Sequence, residues 1–153
     1  MRILKILRTT SENPNFKKLV KLLDEYLAIV DGDDHTFYDQ FNKIDALQHC
    51  IVLFEDENPV GCGALKGYDE ETAEIKRMFV RPVSRGKGYA SAILNELENW
   101  ARELSYDSVI LETGTKQREA IKLYEKTYER IENYGQYRDV QTSVCFNKVL
   151  ENK

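Results

Sequence analysis

The sequence predicts an α/β fold with a mixed sheet. Most of the sheet is antiparallel, with a parallel strand–helix–strand unit at its centre and helices on its flanks. Three observations carry this. Apolar runs near 49–55, 59–66 and 72–80 are separated by polar turns, as in antiparallel hairpins. A helical stripe follows the third run. A short continuous apolar core, Val109-Ile110-Leu111, then follows the helix. Such a run suits a strand covered on both faces, and strand, helix, strand makes a βαβ unit with a right-handed crossover as the default.

The elements follow in order. Residues 3–8 form a first strand. Asn13-Pro14 opens a helix, with proline suited to its first turn. Phe16, Leu19, Val20, Leu23, Leu27 and Val30 recur at helical spacing and form its buried stripe, and Asp31-Gly32-Asp33-Asp34 ends it. A second helix over 35–45 carries Phe37, Tyr38 and Phe41. Glu55-Asp56-Glu57-Asn58 joins two strands as a hairpin, and Gly67 to Glu70 turns into the strand at 72–80. The next helix runs to Leu104, with Tyr89, Ile93, Leu97, Trp100, Ala101 and Leu104 as its stripe. A strand at 108–113, a helix over 116–127 and a strand from Thr142 to Val149 complete the chain.

The 153 residues suit a single domain over 1–153, large enough to bury a core without staples. A net charge of −4 argues against a general nucleic-acid binder. The three cysteines, Cys50, Cys62 and Cys145, have neither framework nor zinc spacing, which suggests free thiols in a reducing, cytoplasmic setting and no metal. The start shows no signal-peptide pattern, and the longest apolar run, Cys50 to Phe54, is far too short to span a membrane.

Arg85 to Ala90 reads R-G-K-G-Y-A at the corner between a strand and a helix. Two glycines there free the backbone for tight turns and close approach. First-turn N–H groups lack partners inside a helix and, with the helix dipole, make an anion site. Lys76, Arg77, Arg81, Arg85 and Lys87 sit together across 76–87 with no acid among them. The expected feature is a pyrophosphate cradle formed by Arg85, Gly86, Lys87, Gly88, Tyr89 and Ala90, mostly through backbone N–H groups. The alternative is a plain glycine turn with solvated cations. A P-loop is excluded because Gly86-Lys87 is followed by Gly88, not Ser or Thr, which also disfavours a nucleotide switch. A Rossmann fingerprint fails because Gly86-Lys87-Gly88 continues to Ser91 where a glycine is needed.

The stretch from Glu74 to Ala90 resembles the strand, acetyl-CoA loop and helix of the GNAT superfamily of N-acetyltransferases. Arg85, Gly88 and Ala90 stand at that family's [QR]-x-x-G-x-[GA] positions, and Leu111 to Gln117 and Ala120 to Lys126 resemble the second half of its cofactor site. The resemblance is close over about residues 49–131. It implies a twisted sheet splayed between its two parallel strands, with pantetheine in the splay and acetyl-CoA as acyl donor. It also implies an amine acceptor, with homodimers frequent.

Further roles follow from the resemblance and from what the chemistry needs. An attacking amine must be neutral, so a base must take its proton. Glu74, eleven residues before Arg85, stands where some members place a catalytic Glu; on a regular strand it shares a face with Lys76, Met78 and Val80. The alternative is a solvated Glu paired with a neighbouring cation. Glu112 is a second carboxylate candidate, or simply a polar strand end. The oxyanion needs donors, which a distorted strand backbone could supply. Tyr124 is the candidate acid for the departing thiolate, or a core tyrosine with its hydroxyl at the rim. Met78, Phe79 and Val80 would line the pantetheine arm, or be core, and Gln117 stands near pantetheine in relatives. His35 and His49 read as structural or surface groups. The aromatic residues of the 35–45 helix would wall the acceptor pocket or merely pack, and Tyr134-Gly135-Gln136-Tyr137 would form another wall. One departure stands out: where relatives read L-Y-E-x-x-G-[FY], Leu123 to Tyr128 is one residue shorter and lacks the glycine that usually caps the helix.

The expected activity is acetyl transfer to a primary amine of a small metabolite, a small amine or an amino-acid-like molecule, by direct attack in a ternary complex. A protein lysine or N-terminal acetyltransferase is the alternative within enzymes, and a non-catalytic acyl-CoA-binding module is the alternative outside them.

Overall fold

Helix α1 (Pro14–Asp31) begins where the sequence asks it to. In the computed structural model, which describes residues 2–31 and 46–151, the Asn13 side-chain oxygen accepts the N–H groups of Asn15 at 2.9 Å and Phe16 at 3.1 Å. Two orphan donors of the first turn are thereby satisfied, with Pro14 fixing the helical φ. The expected 35–45 helix, with His35, Phe37, Tyr38 and Phe41, lies outside the described residues.

Seven strands form one sheet: β1 (Leu4–Thr9), β2 (His49–Glu55), β3 (Asn58–Gly67), β4 (Thr72–Val80), β5 (Ser108–Gly114), β6 (Glu129–Ile131) and β7 (Ser143–Val149). Their order is β1-β2-β3-β4-β5-β7-β6, and β4/β5 is the parallel pair among otherwise antiparallel ones. Helix α2 (Tyr89–Glu103) makes the crossover between β4 and β5, and α3 (Arg118–Glu125) follows β5. Short 3-10 turns stand at Pro82–Ser84 and Gly135–Tyr137.

The core has two layers. Phe16, Leu19, Val20, Leu23 and Leu27 of α1 pack on one face of the sheet, against Cys50, Val52, Cys62, Ala64 and Phe79. Tyr89, Ile93, Leu94, Leu97 and Ala101 of α2 pack on the other, against Ile51, Leu53, Ile75, Val80, Val109 and Phe146. Full burial of each such aliphatic or aromatic side chain contributes about 1.5–3 kcal/mol. Leu104, expected in the α2 stripe, is exposed instead: the helix ends at Glu103, and Leu94 is buried in the stripe. Gly63 lets α2 approach closely, since a Cβ there would stand 2.8 Å from the Met78 sulfur and 2.9 Å from both Ile93 and Leu97.

Two irregularities of β4 shape what lies beside it. Pairing with β5 holds only at Thr72–Ser108, Ala73–Val109 and Glu74–Ile110; beyond that β4 stays with β3 while β5 runs with β7. The sheet therefore splays open after Glu74. The β3–β4 register also shifts between Cys62 and Ala64, with Arg77 at φ 60°. This bulge reverses the alternation of side chains. Glu74 and Lys76 still share a face, but Met78 and Val80 point to the α2 layer, while Arg77 and Phe79 turn toward α1. The expected common face of Glu74, Lys76, Met78 and Val80 is thus split by the extra residue.

The missing glycine after Tyr124 is accommodated without a left-handed cap. Lys126 keeps right-handed helical angles. The N–H groups of Thr127 and Tyr128 turn back onto the Tyr124 carbonyl at 3.2 and 2.8 Å. Tyr128 is then buried, its hydroxyl donating to Glu98 at 2.8 Å. The three-residue strand β6, which the sequence does not announce, starts directly afterwards.

Candidate active site

The splay opens into a cleft of about 510 Å3 between the end of β4, the loop before α2, and α3. Met78, Phe79, Val80, Arg85, Gly86, Gly88, Tyr89, Ala90 and Gln117 all line it, together with Tyr124. Lys87 stands outside this lining. Its ammonium lies 3.6 Å from Glu55 and 5.8 Å from the centre of the Tyr89 ring.

The loop is a backbone device. Gly86 and Gly88 take φ of 79° and 82°, a region that costs L side chains about 1–2 kcal/mol. Among the described residues, no atom beyond the adjoining residues of the loop lies within 4 Å of where a Cβ would stand at either glycine, so the backbone is open to an incoming group. Arg85 braces the loop from below: its Nε donates to the Val80 carbonyl at 2.9 Å, and its guanidinium lies 4.7 Å over the Tyr26 ring. Behind the loop, Tyr89 donates its hydroxyl hydrogen to Glu55.

The five cations read as one basic stretch do not converge. Lys76 pairs with Glu74 at 3.9 Å, Arg77 with Asp24 at 3.2 Å and Lys87 with Glu55, while Arg81 donates to the Pro59 carbonyl at 2.8 Å. Alternation along the strand and the bulge disperse these four. Arg85 alone of the five lines the larger cleft, 3.9 Å from Glu119, so local positive character at the loop rests on Arg85, the glycine backbone and the start of α2.

A second, smaller cavity of about 80 Å3 adjoins the first. Glu74, Lys76, Arg77, Glu112 and Tyr137 line it, and Leu23, Met78, Gln117 and Tyr124 line both cavities. Glu74 is 7% exposed and accepts a 2.6 Å hydrogen bond from the Tyr134 hydroxyl. Glu112 accepts a 2.7 Å bond from Ser143. Burial, and after it the Glu112 charge, pushes the Tyr124 phenol far above its ordinary range. Burial and then the Glu74 charge do the same for Tyr134. Both phenols are therefore proton donors at neutral pH. Cys50 and Cys145 are pushed up to about 12 and about 11 by burial, and Cys62 higher still, so no cysteine here is a ready thiolate. His49 packs edge-on to Trp100, 4.9 Å between ring centres, outside both cavities.

The sequence reading placed Tyr134 and Tyr137 in a pocket wall, and Tyr137 does line the smaller cavity while Tyr134 holds Glu74. It missed Tyr26, Asp24 and Ser84. Tyr26 sits at the edge of the α1 stripe, partly buried against that core, and no motif surrounds it; its place in the larger cleft and its contacts with Arg85 and Phe79 reveal it.

Comparison with known proteins agrees with this architecture. The model of the acetyltransferase (GNAT) family matches residues 16–128. An IAA acetyltransferase of Azospirillum brasilense is 42% identical over 112 residues, covering 71% of this chain and 72% of its own. A crystal structure from Klebsiella pneumoniae, described as an acyl-CoA N-acyltransferase, superposes with a TM-score of 0.82 at 25% identity over 97% of this chain and 99% of its own. A GNAT acetyltransferase of Elizabethkingia anophelis, solved with acetyl-CoA bound, shares the fold with a TM-score of 0.70 at 19% identity over 96% of this chain and 98% of its own. The family match spans well over half of the sequence and includes the splay, the glycine loop and α2, and on that ground the chain belongs to the GNAT family and is an N-acetyltransferase.

Proposed function

We propose that this enzyme transfers acetyl from acetyl-CoA to the primary amine of a small metabolite, by direct attack in a ternary complex. The observation that carries this reading is the meeting of the two cavities at Met78, Gln117 and Tyr124. The larger has the open glycine backbone that suits a diphosphate, and the smaller has two carboxylates that suit an amine. The small size of the second cavity favours a metabolite over a protein side chain presented on its backbone.

GNAT enzymes use acetyl-CoA, and when bound it supplies the activated acetyl thioester. The chain's residues fit it: the backbone of 85–90 would hold the diphosphate, β4 from Met78 to Val80 the pantetheine arm, and Gln117 its far side. Glu74 would take the proton of the acceptor ammonium, its other oxygen fixed by Tyr134. Glu112 is the second carboxylate beside the acceptor. Tyr124, protonated and at the junction, would give a proton to the departing sulfur. Transfer through a cysteine is disfavoured because all three thiols are buried and held protonated. Three unpaired buried thiols suit a reducing compartment, which we take to be the cytoplasm.

The test is acetyl-CoA titration followed by thiol release. A saturable rise in Tm with acetyl-CoA and desulfo-CoA, but not ATP, is expected, and small amines should then release thiol from acetyl-CoA. A rise with ATP alone would overturn the cofactor assignment. Binding without turnover of any amine would make the domain a non-catalytic acyl-CoA module.

A further inference from the structure

Arg77 is the most unusual side chain beside the acceptor cavity. It is 6% exposed, sits on the bulge of β4 at φ 60°, and lines the 80 Å3 cavity. One guanidinium nitrogen, Nη1, donates to Asp24 of α1 at 3.2 Å. A second, Nη2, is buried and has no hydrogen-bond partner among the described residues. A buried charged donor left unmatched is costly, and native structures seldom keep one without a reason. The guanidinium fork matches a carboxylate, which can take two donors at once.

The cavity also has the opposite character. Glu74 and Glu112 line it, and so does Lys76. A cavity lined by two carboxylates and two cations matches a molecule that carries both an ammonium and a carboxylate. We infer that the acceptor is a small zwitterionic amino acid, with Arg77 binding its carboxylate through the otherwise unmatched Nη2 while its amine lies toward Glu74 and Glu112. This rests on the proposed acetyl transfer to a small amine and narrows its acceptor class. The bulge would then have a purpose in recognition: it turns Arg77 off the regular alternation and onto the α1 side, beside Leu23 and Leu27, which line the same cavity.

The experiment compares free amino acids with their carboxamides as acceptors, at saturating acetyl-CoA, by thiol release. Amidation removes the carboxylate and leaves the amine less basic, hence more often neutral, so any preference for the free acid runs against amine reactivity. The wild-type enzyme is expected to favour the free acid in kcat/KM on the order of a hundredfold. Arg77→Gln should bring the two acceptors to within about tenfold, mostly through KM, while the acetyl-CoA-induced Tm rise persists. Equal use of acids and carboxamides by the wild type would overturn the inference and leave acetyl transfer standing. An equal loss of both acceptors in Arg77→Gln would overturn it too, since Arg77 would then only anchor α1 through Asp24. No thiol release from either series, with acetyl-CoA still raising Tm, would sink acetyl transfer to small amines itself. If Arg77→Gln does not fold, the wild-type comparison decides alone.

Discussion

The two halves of the site are built by different means. The half that faces the larger cleft comes mostly from two contiguous stretches, Met78 to Ser91 and Gln117 to Lys126, and the first of them offers backbone geometry: two glycines with positive φ and the first turn of α2. The half that faces the smaller cavity is assembled from side chains on separate elements, with Leu23 from α1, Glu74 and Arg77 from β4, Glu112 from β5 and Tyr137 from the turn before β7. Backbone recognition of a ligand common to a family is written as a local motif. Side-chain recognition of a variable ligand is written in the topology, and it allows the acceptor to change without disturbing the cofactor loop.

That division breaks most visibly if a change on one side disturbs the other. The largest effect is expected from Glu74→Gln, which should lower kcat/KM by about 10²–10⁴-fold, the usual span of a general base, with the Tm rise on adding acetyl-CoA intact. Tyr124→Phe comes next, with a loss in kcat of about 10–10²-fold. Its pH signature follows from burial. A phenol acid works below its pKa, and this one is raised, so the wild type should show no basic limb from Tyr124 within the ordinary tyrosine range near pH 10. A falling limb at pH 8–9 that disappears in Tyr124→Phe would contradict this.

Smaller effects sharpen the comparison on the cofactor side. Gly88→Ala forces a side chain into left-handed φ at a cost of about 1–2 kcal/mol, which should weaken acetyl-CoA binding by about 5–30-fold if the strain is relieved by moving the loop. Lys87→Ala should be the mildest. Its ammonium faces Glu55 behind the loop, and a partly exposed pair of this kind is worth little, so acetyl-CoA affinity should change by less than about threefold. A tenfold loss, read by calorimetric titration, would mean that the side chain reaches the phosphates after all.

The same division explains what could be read from the chain. Helix α1 was legible because Asn13-Pro14 is a local start signal and Phe16 to Leu27 a periodic stripe. The parallel β4–α2–β5 unit was legible because the apolar core of β5 has no polar face. The bulge was not, because its positive φ falls on an arginine and not on a glycine. Its consequence, the split face of β4, takes Met78 and Val80 off the face of Glu74 and leaves Lys76 on it. Strand β6 has three residues and two charges, too little for a periodic signal. The Tyr134–Glu74 bond joins residues 60 apart in sequence, and no spacing rule reaches that far.

We propose that cofactor binding and acceptor deprotonation are separable functions of these two halves. The most direct test is the acetyl-CoA Kd of Glu74→Gln beside its turnover. A Kd within about twofold of wild type, with turnover lost by a hundredfold or more, is the expected result. A Kd that rises in step with the lost turnover would contradict it, because Glu74 would then be part of the cofactor site or of its scaffold.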